Sequence, residues 1–550
     1  MTQEFPATQN AIQFVGAEQV VLNRSMPVHE LGPRQLLLKT EACGICFSDT
    51  KLLHAFTKHP RKSEVLGGLT PAELAEIPSY HPGAAPIVPG HEPVARIVAV
   101  GPEVKHHQVG ERVLVQTDYR HLPTAASNGA FGYNFDGALQ EYALVDERMV
   151  IDPVSGERFL IPVDEGPTAS AVALIEPWAC VEAAYAWGER QTLRAGGRLL
   201  VVVAPGRQAE GVAELVAASA PATISLVGSA DLGVAAEPVD LDTLEAAGFD
   251  DILYFGSDAA TIEKLGTLLA AGGILDLVLG GTPIGVPVPV DVGRVHYDLI
   301  RYVGTAGTSA VEGYARIPAR CELRAGDKVA IVGAAGPMGL MHTIRTAVSG
   351  VPGISMDAVD VDDARLAHLE EVVAPVAAAN GVPATFRNSK TTPLDATYSY
   401  VAVMVPAPFL ITQAVEISGE NAIVNAFAGF AIGTLAPLDL DALANRGIYL
   451  VGTSGSRIED MKTMLAKVQG GTLDTNVSLW AVTGMAGVAD AIESVNNRTS
   501  GGKIMVYPTC ADLGLTTLSE LPEKLPSVAA AMDEGRWTKA AEQALLATCG

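Results

Sequence analysis

The chain has 550 residues, enough for three or four domains, and its 48% hydrophobic and 18% charged residues are typical of globular proteins. Its 37 Lys and Arg residues against 62 Asp and Glu residues give a net charge of −25, which disfavours nucleic acid and anionic membranes as partners. No basic leader precedes an apolar run, no stretch of roughly 18 apolar residues occurs, and six cysteines are too few for a disulfide scaffold, so we expect a cytoplasmic protein.

The first third of the chain is predicted to be rich in β-strands, because short apolar or alternating runs are separated by Gly, Pro and Asp turns. These runs are QLLLKTEA, VARIVAV, ERVLVQ and LQEYALV. From about residue 165, strand and helix patterns alternate, as in parallel sheets with crossover helices. We therefore expect a β-rich domain at 1–190, completed by a strand–helix–strand pattern at 476–510, and a helical tail at 511–550.

Three motifs in this region carry residues that bind metals. They are CGICFSDTK with Cys43 and Cys46, PIVPGHEP with His91 and Glu92, and ALIEPWAC with Glu176. Thiolate, imidazole and carboxylate are the ligand types of zinc, and an open catalytic site uses about three of them. Each motif alone is weak, because a buried Cys is more often a small hydrophobic residue. Adjacent His91 and Glu92 would face opposite sides of a strand, so both can reach one metal only if the chain bends there.

The middle of the chain contains an internal repeat. LRAGGRLLVVVAPG at 193–206 returns as LRAGDKVAIVGAAG at 323–336, and the two copies close with YVGT and LVGT. Each copy shows the strand–turn–helix succession of a doubly wound, nucleotide-binding unit. The sequence thus predicts an α/β protein with two Rossmann-type domains, at 191–320 and 321–475.

The second copy has the features of a dinucleotide site. Gly333, Gly336 and Gly339 form its turn, with Met338 at the start of the following helix. Asp360 ends the next predicted strand, 21 residues beyond Gly339. A carboxylate there accepts hydrogen bonds from the ribose hydroxyls and repels a 2′-phosphate, so we expect NAD rather than NADP.

The first copy lacks these features. Its turn offers only Gly206 and Gly211, which are crowded by Arg207 and Glu210, and its second strand ends at Gly228 without an acidic residue. We expect this copy to be a scaffold that has lost its ligand, with a working second site as the alternative. It could also replace a neighbouring subunit, so the chain is expected to be either a homo-oligomer or an intramolecular pseudo-dimer.

The motifs together resemble the zinc-dependent medium-chain dehydrogenase/reductase family, which includes alcohol and sorbitol dehydrogenases. The similar segments are GICFSD, GHE, VGPEVKHHQVGERV, GALQEY and IEP. Within the family, the segments ICFSDTK, GAAGPMG and LVGTSGSRIEDM resemble most those of L-sorbose-1-phosphate reductases. The resemblance covers nearly the whole chain apart from the first repeat copy and the tail. It implies a GroES-like catalytic domain, one catalytic zinc, and hydride transfer between NAD and a polyol, sugar or sugar phosphate.

The resemblance also implies roles for single residues. Cys46 and His91 would bind the zinc, Glu92 or Glu176 would complete the site directly or through water, and Cys43 would be a bystander. The remaining catalytic positions are Asp49, which would support His91, Ser48, which would contact the substrate oxygen, and Lys51, which stands where a relay histidine is common. A charged Lys cannot accept a proton, so the proton route is left open. The region 115–137 contains no cysteine, so we expect no second, structural zinc.

Two further questions stay open in the sequence. The partner is expected to be a small alcohol or ketone, either phosphorylated or an unphosphorylated alcohol or aldehyde, and a non-catalytic sensor built on a decayed dehydrogenase is the alternative of another class. The basic run Lys58, His59, Arg61 and Lys62 would bind a substrate phosphate or else form a solvated loop.

Overall fold

The computed structural model describes residues 5–394 and 397–549 and divides the chain into two compact units. The first unit comprises Met1–Cys180 and Ser456–Gly550, and the second comprises Val181–Gly455. The boundaries differ from those expected: the first unit ends ten residues before 190, and it takes in 456–475 as well as the tail at 511–550. The tail belongs to it because Trp537 and Leu545 are buried.

The first unit begins with short strands and helices. In chain order they are β1 (Thr8–Gly16), β2 (Gln19–Pro27), β3 (Gln35–Ile45), α1 (Phe47–Ala55), α2 (Pro71–Ala75), β4 (Glu92–Val100), β5 (Arg112–Val115), β6 (Asp118–Pro123), β7 (Asn128–Ala130), β8 (Tyr142–Asp146), α3 (Glu147–Val150), β9 (Leu160–Pro162), α4 (Ala169–Ala173) and α5 (Ile175–Ala186). Two 3-10 turns, Phe56–Lys58 and Pro60–Lys62, follow α1. Helix α5 carries the chain out of this unit and into the second.

The second unit alternates strands and helices. Its elements are β10 (Arg198–Val203), α6 (Val212–Ser219), β11 (Thr223–Val227), β12 (Glu237–Pro238), β13 (Phe249–Phe255), α7 (Ala259–Leu268), β14 (Leu269–Val278), β15 (Val288–Asp291), α8 (Val292–Tyr297), β16 (Arg301–Thr305), α9 (Ala310–Ala315), β17 (Lys328–Val332), α10 (Pro337–Ala347), β18 (Ser355–Asp360), α11 (Asp363–Ala379), β19 (Ala384–Asn388), β20 (Tyr398–Val403), α12 (Pro408–Glu416), β21 (Ser418–Asn425), β22 (Leu435–Leu438), α13 (Leu440–Arg446) and β23 (Tyr449–Val451). Aspartate side chains accept the first free N–H groups of several of these helices, as Asp258 does for α7 and Asp362 for α11.

The chain then returns to the first unit. The remaining elements are α14 (Ile458–Gln469), β24 (Leu479–Thr483), α15 (Val488–Asn496), β25 (Lys503–Val506), β26 (Thr516–Thr517), α16 (Leu521–Lys524), α17 (Pro526–Ala529) and α18 (Lys539–Cys549). Strand β25 lies antiparallel to β3, so N- and C-terminal segments share one sheet with the order β26–β24–β25–β3–β4–β5–β9, and β8 also pairs with β3. This pairing brings the C-terminal segment beside the motifs that carry the candidate metal ligands.

The two repeat copies have the same parallel topology. The first sheet has the order β12–β11–β10–β13–β14–β16, and the second has β19–β18–β17–β20–β21–β23. Every strand of one copy therefore has a counterpart in the other, and both sheets are doubly wound. The predicted fold class, a β-rich domain with two Rossmann-type sheets, is confirmed.

The two copies meet through equivalent elements. Strands β15 and β22 pair antiparallel, with Val288 opposite Leu438, Pro289 opposite Pro437, and Val290 opposite Ala436. Each strand leads to an aspartate that starts the next helix, Asp291 for α8 and Asp439 for α13. The pairing is therefore symmetric about the two prolines, the arrangement of a two-fold interface. One buried hydrophobic cluster contains side chains of both copies.

The tail is fastened to the first unit by polar contacts and a disulfide. The buried carboxylate of Glu542 accepts hydrogen bonds from the backbone N–H groups of Ala169 and Ser170 at the start of α4. Cys510 and Cys549 form a disulfide, and the other four cysteines are free. Among the described residues, no helix is both long and apolar enough to cross a membrane.

Candidate metal centre and active site

Three of the predicted ligands come together in the first unit. Cys46 lies between β3 and α1, His91 precedes β4, and Glu92 is the first residue of β4. Their candidate ligand atoms all lie within 4.8 Å of one another, and His91 and Glu92 are buried. Sulfur, nitrogen and oxygen donors at one point are the set that zinc prefers.

Two glycines allow this cluster to form. Gly90 has a φ of +100°, and this bend lets the adjacent His91 and Glu92 reach the same point. Gly44 pairs with Glu92 across β3 and β4, and a Cβ at position 44 would fall closer than 3.0 Å to the Glu92 Oε2 atom. The carboxylate therefore occupies the place of the missing side chain.

The Glu92 carboxylate fits a metal ligand. Its Oε1 atom accepts a hydrogen bond from the Lys503 Nζ atom at 2.6 Å, while Oε2 has no hydrogen-bond partner among the described residues although Glu92 is 0% exposed. A buried carboxylate oxygen without a partner is costly, and a bound cation would satisfy it. The residues present thus fit one zinc ion.

Lys503 contacts the candidate metal centre, and the sequence patterns did not predict it. It lies on β25, is buried, and also donates to the Ile45 carbonyl oxygen at 2.8 Å. The Glu92 carboxylate raises the pKa of Lys503 against the opposing effect of burial, so the ammonium group remains charged. The only signal in the sequence was a lysine within the apolar run KIMV.

Asp49 holds both the imidazole and the cysteine backbone. Its Oδ1 atom is 3.2 Å from the His91 Nδ1 atom, and Oδ2 accepts the Cys46 N–H at 2.9 Å. A carboxylate on Nδ1 leaves Nε2 as the nitrogen that can bind a metal. Ser48 lies next to the cluster, with its Oγ atom 3.6 Å from the Cys46 Sγ atom.

The remaining predicted residues take different places. Cys43 is fully buried, and burial raises the pKa of its thiol, in keeping with a bystander. Glu176 and Cys180 lie one turn apart on α5, with the Cys180 Sγ atom 4.0 Å from a Glu176 carboxylate oxygen. The Glu176 oxygens lie outside the three-residue cluster. Burial raises the pKa of Glu176 to about 7.

Tyr133 forms one wall of the site, and the sequence offered no signal for it. Its ring centroid is 5.3 Å from that of His91 and 5.2 Å from that of His59. The Arg61 guanidinium lies over the same ring at 5.4 Å. The loop after α1 therefore borders the candidate metal centre.

The second unit holds the predicted dinucleotide turn. Gly333 has a φ of +82°, Gly336 caps α10, and a Cβ on Gly339 would collide with the Gly333 carbonyl oxygen. Met338, in the first turn of α10, is half-buried. Asp360 ends β18, and its carboxylate accepts the backbone N–H of Ala335 at 3.0 Å. The helix start, the glycines and the carboxylate thus lie together at one edge of the sheet.

The first copy differs at the corresponding edge. Because Val202 pairs with Val227 as Val332 pairs with Val359, Gly228 takes the place of Asp360. Two side chains of the turn also make contacts of their own: the side chain of Arg207 donates to the Gly280 carbonyl oxygen at 3.1 Å, and the side chain of Glu210 accepts a hydrogen bond from the Thr308 hydroxyl at 2.6 Å.

Comparisons with known proteins give the same fold. The alcohol dehydrogenase GroES-like domain family matches residues 32–154. The uncharacterized protein YggP of Escherichia coli is 26% identical over 251 residues, which are 42% of this chain and 59% of YggP. The mannitol-1-phosphate 5-dehydrogenase of Aliivibrio fischeri is 22% identical over 55% of this chain and 75% of that protein. The crystal structure of 2R,3R-butanediol dehydrogenase from Bacillus subtilis has a TM-score of 0.50 at 15% identity, covering 91% of this chain and 100% of that one.

Proposed function

We propose that this chain belongs to the zinc-dependent medium-chain dehydrogenase/reductase family and is an enzyme that interconverts an alcohol and a ketone with NAD(H). Its substrate class is a polyol, a sugar or a sugar phosphate. The observation that carries the proposal is the cluster of Cys46, His91 and Glu92. The buried Oε2 atom of Glu92 has no hydrogen-bond partner among the described side chains and backbone groups. The similarity to a mannitol-1-phosphate 5-dehydrogenase supports the substrate class.

The chain would hold one zinc through Cys46, His91 and Glu92. When bound there, zinc supplies a Lewis acid that lowers the pKa of an alcohol or polarises a ketone. Asp49 keeps the His91 imidazole in the tautomer that binds the metal, and Lys503 fixes the Glu92 carboxylate from the opposite side.

Proton movement falls to residues around this cluster. The Ser48 hydroxyl, next to Cys46, can hold the substrate oxygen by a hydrogen bond. Glu176 is suited to hold or release a proton near neutral pH, because burial raises its pKa to about 7. We assign the proton exchange to Glu176 rather than to Lys51, since lysine side chains in general are charged at neutral pH and cannot accept a proton.

The second repeat copy would bind NAD, which supplies the hydride acceptor or donor. The pyrophosphate would lie at the start of α10, on the backbone of Gly336 and Met338, and the Asp360 carboxylate would accept the ribose hydroxyls. The first copy would bind no dinucleotide, because Gly228 stands where the second copy has Asp360 and no carboxylate there can accept the ribose hydroxyls. One NAD is therefore expected per chain.

A metal assay combined with an NADH-linked screen of polyols and their phosphates tests this function. The full chain should contain one zinc and reduce NAD with at least one polyol or its phosphate. Cys46→Ser should lose zinc and activity together, because the thiolate is a ligand, whereas Cys43→Ala should retain both.

Two results would contradict the proposal. Full zinc occupancy in folded Cys46→Ser protein would refute the ligand assignment. Zinc and NAD binding without turnover of any alcohol would instead indicate a non-catalytic sensor.

A further inference from the structure

The basic loop after α1 divides into residues with different surroundings. The Lys62 side chain is buried and donates to the carbonyl oxygens of His81 and Ala85, so it stabilises the loop. Lys58 is exposed. The four basic residues that the sequence grouped together therefore cannot act as one phosphate site, and only Arg61 and His59 face the candidate metal centre through Tyr133.

Arg61 retains most of its hydrogen-bonding capacity. Among the described residues, Asp118 is the one carboxylate within ion-pair distance of Arg61, at 3.5 Å, and Glu176 interacts with Arg61 at longer range. The Asp118 carboxylate also accepts hydrogen bonds from the Arg120 and Asn128 side chains. The Arg61 guanidinium donates no hydrogen bond within the described part of the chain, although its side chain is only 27% exposed. A planar guanidinium with free N–H groups is suited to bind a phosphate through two of them.

Lys51 supplies a second positive charge nearby. It lies on α1, one turn beyond Ser48, and its ammonium group lies over the Phe47 ring at 5.5 Å, with no carboxylate within ion-pair distance among the residues described. Burial, together with the charges of Arg61 and Lys51, lowers the pKa of His59 to about 4. Both cations are thus close to one neutral imidazole.

This arrangement is unusual for a chain with a net charge of −25. Arg61 is loosely paired, Lys51 is unpaired among the described residues, and both lie beside the candidate metal centre. A neutral polyol would need a charged partner only for its reacting oxygen, so it would leave both cations unused. Two such cations attract a dianion and give it hydrogen bonds that a hydroxyl group cannot match.

We propose that Lys51 and Arg61 form an anion subsite that binds the phosphate group of a phosphorylated polyol or ketose. This deepens the proposed function and rests on it for the identity of the rest of the substrate. The subsite selects the phosphate ester over the free polyol, and Lys58 and Lys62 contribute nothing to it.

Direct binding measurements test the subsite without turnover. We would titrate the zinc-loaded full chain, in the absence of NAD, with D-mannitol 1-phosphate and with D-mannitol by calorimetry. Arg61→Ala and Lys51→Met should each weaken binding of the phosphate ester by about tenfold to a hundredfold, the range for a lost charge-assisted hydrogen bond, and leave D-mannitol binding within about threefold. Lys58→Ala, which removes the same charge from the same loop, is the matched control and should change neither.

The outcomes separate the subsite from the proposed function. Equal effects of the substitutions on both ligands, or an equal effect of Lys58→Ala, would overturn the subsite. Binding that follows the expected pattern would support the subsite even if no NADH-linked turnover occurred. The absence of turnover would contradict only the proposed function. If Arg61→Ala does not fold, Arg61→Lys is measured in its place. Because lysine lacks the planar guanidinium, this variant should still bind the phosphate ester less tightly, with a smaller effect on the binding of D-mannitol.

Discussion

Replacing Gly44 by alanine should disturb the metal centre without removing a ligand. The new methyl group would fall closer than 3.0 Å to the Glu92 Oε2 atom and 3.2 Å from the Glu92 Cβ and Cδ atoms, whereas ordinary contacts begin at 3.4 Å. The backbone cannot give way easily, because β3 is paired with β4 on one side and with β25 on the other. The carboxylate must therefore move by about 1 Å.

The size of the effect follows from this displacement. Overpacking of this kind costs about 1–3 kcal/mol of the free energy of unfolding. Disturbing the groups that orient a metal ligand typically weakens metal binding by about 10- to 100-fold. Because Oε2 is the carboxylate oxygen without a hydrogen bond among the described residues, we expect the loss of zinc affinity in Gly44→Ala to be at the upper end of this range.

Zinc affinity can be measured by competition with a chromophoric chelator. Gly514→Ala is the matched control, since Gly514 is exposed, belongs to the same unit, and has nothing within 4 Å of an added Cβ. Wild-type zinc affinity in folded Gly44→Ala protein would refute the assignment of Glu92 Oε2 to the metal.

Three further substitutions test the roles of Lys503, Asp360 and His342. Lys503→Met leaves the buried Glu92 without its cationic partner, so the free energy of unfolding of the metal-free chain, measured in urea, should fall by about 3–5 kcal/mol. Added zinc should restore part of this loss. If zinc stabilised the variant and the wild type by the same amount, the prediction would be contradicted. Asp360→Ala should weaken the binding of NAD by about 1.5–3 kcal/mol and reduce the preference for NAD over NADP, both measured by fluorescence titration. An unchanged preference would exclude Asp360 as its source. Burial lowers the pKa of His342 from 6.5 to about 3, so the unfolded chain binds the proton first and the free energy of unfolding should fall as the pH falls from about 6.5 towards 3. His342→Gln should flatten that slope, and an unchanged slope in acid-unfolding experiments would show that the pKa of His342 is not lowered in the folded chain.

Several features of this protein could be predicted from the sequence because they depend on local patterns. Strand and helix periodicity, with glycines at turns, indicated both Rossmann-type copies, and the loss of an acidic residue after β11 was visible as Gly228. The candidate ligands Cys46, His91 and Glu92 were identifiable because each lies in a short motif. The bend that lets His91 and Glu92 reach one point was indicated by Pro89-Gly90, since glycine tolerates a positive φ.

Other features depend on contacts between residues that are far apart in the sequence. Lys503 meets Glu92 only because β25 pairs with β3, and no pattern around either residue indicates that partner. The same holds for the basic loop, where Lys62 is buried and Arg61 faces Tyr133, although adjacent lysine and arginine look equivalent in the sequence. Local patterns report which face of an element is apolar, whereas pairing between distant strands decides which polar side chains are buried together, and that is a property of the tertiary structure alone.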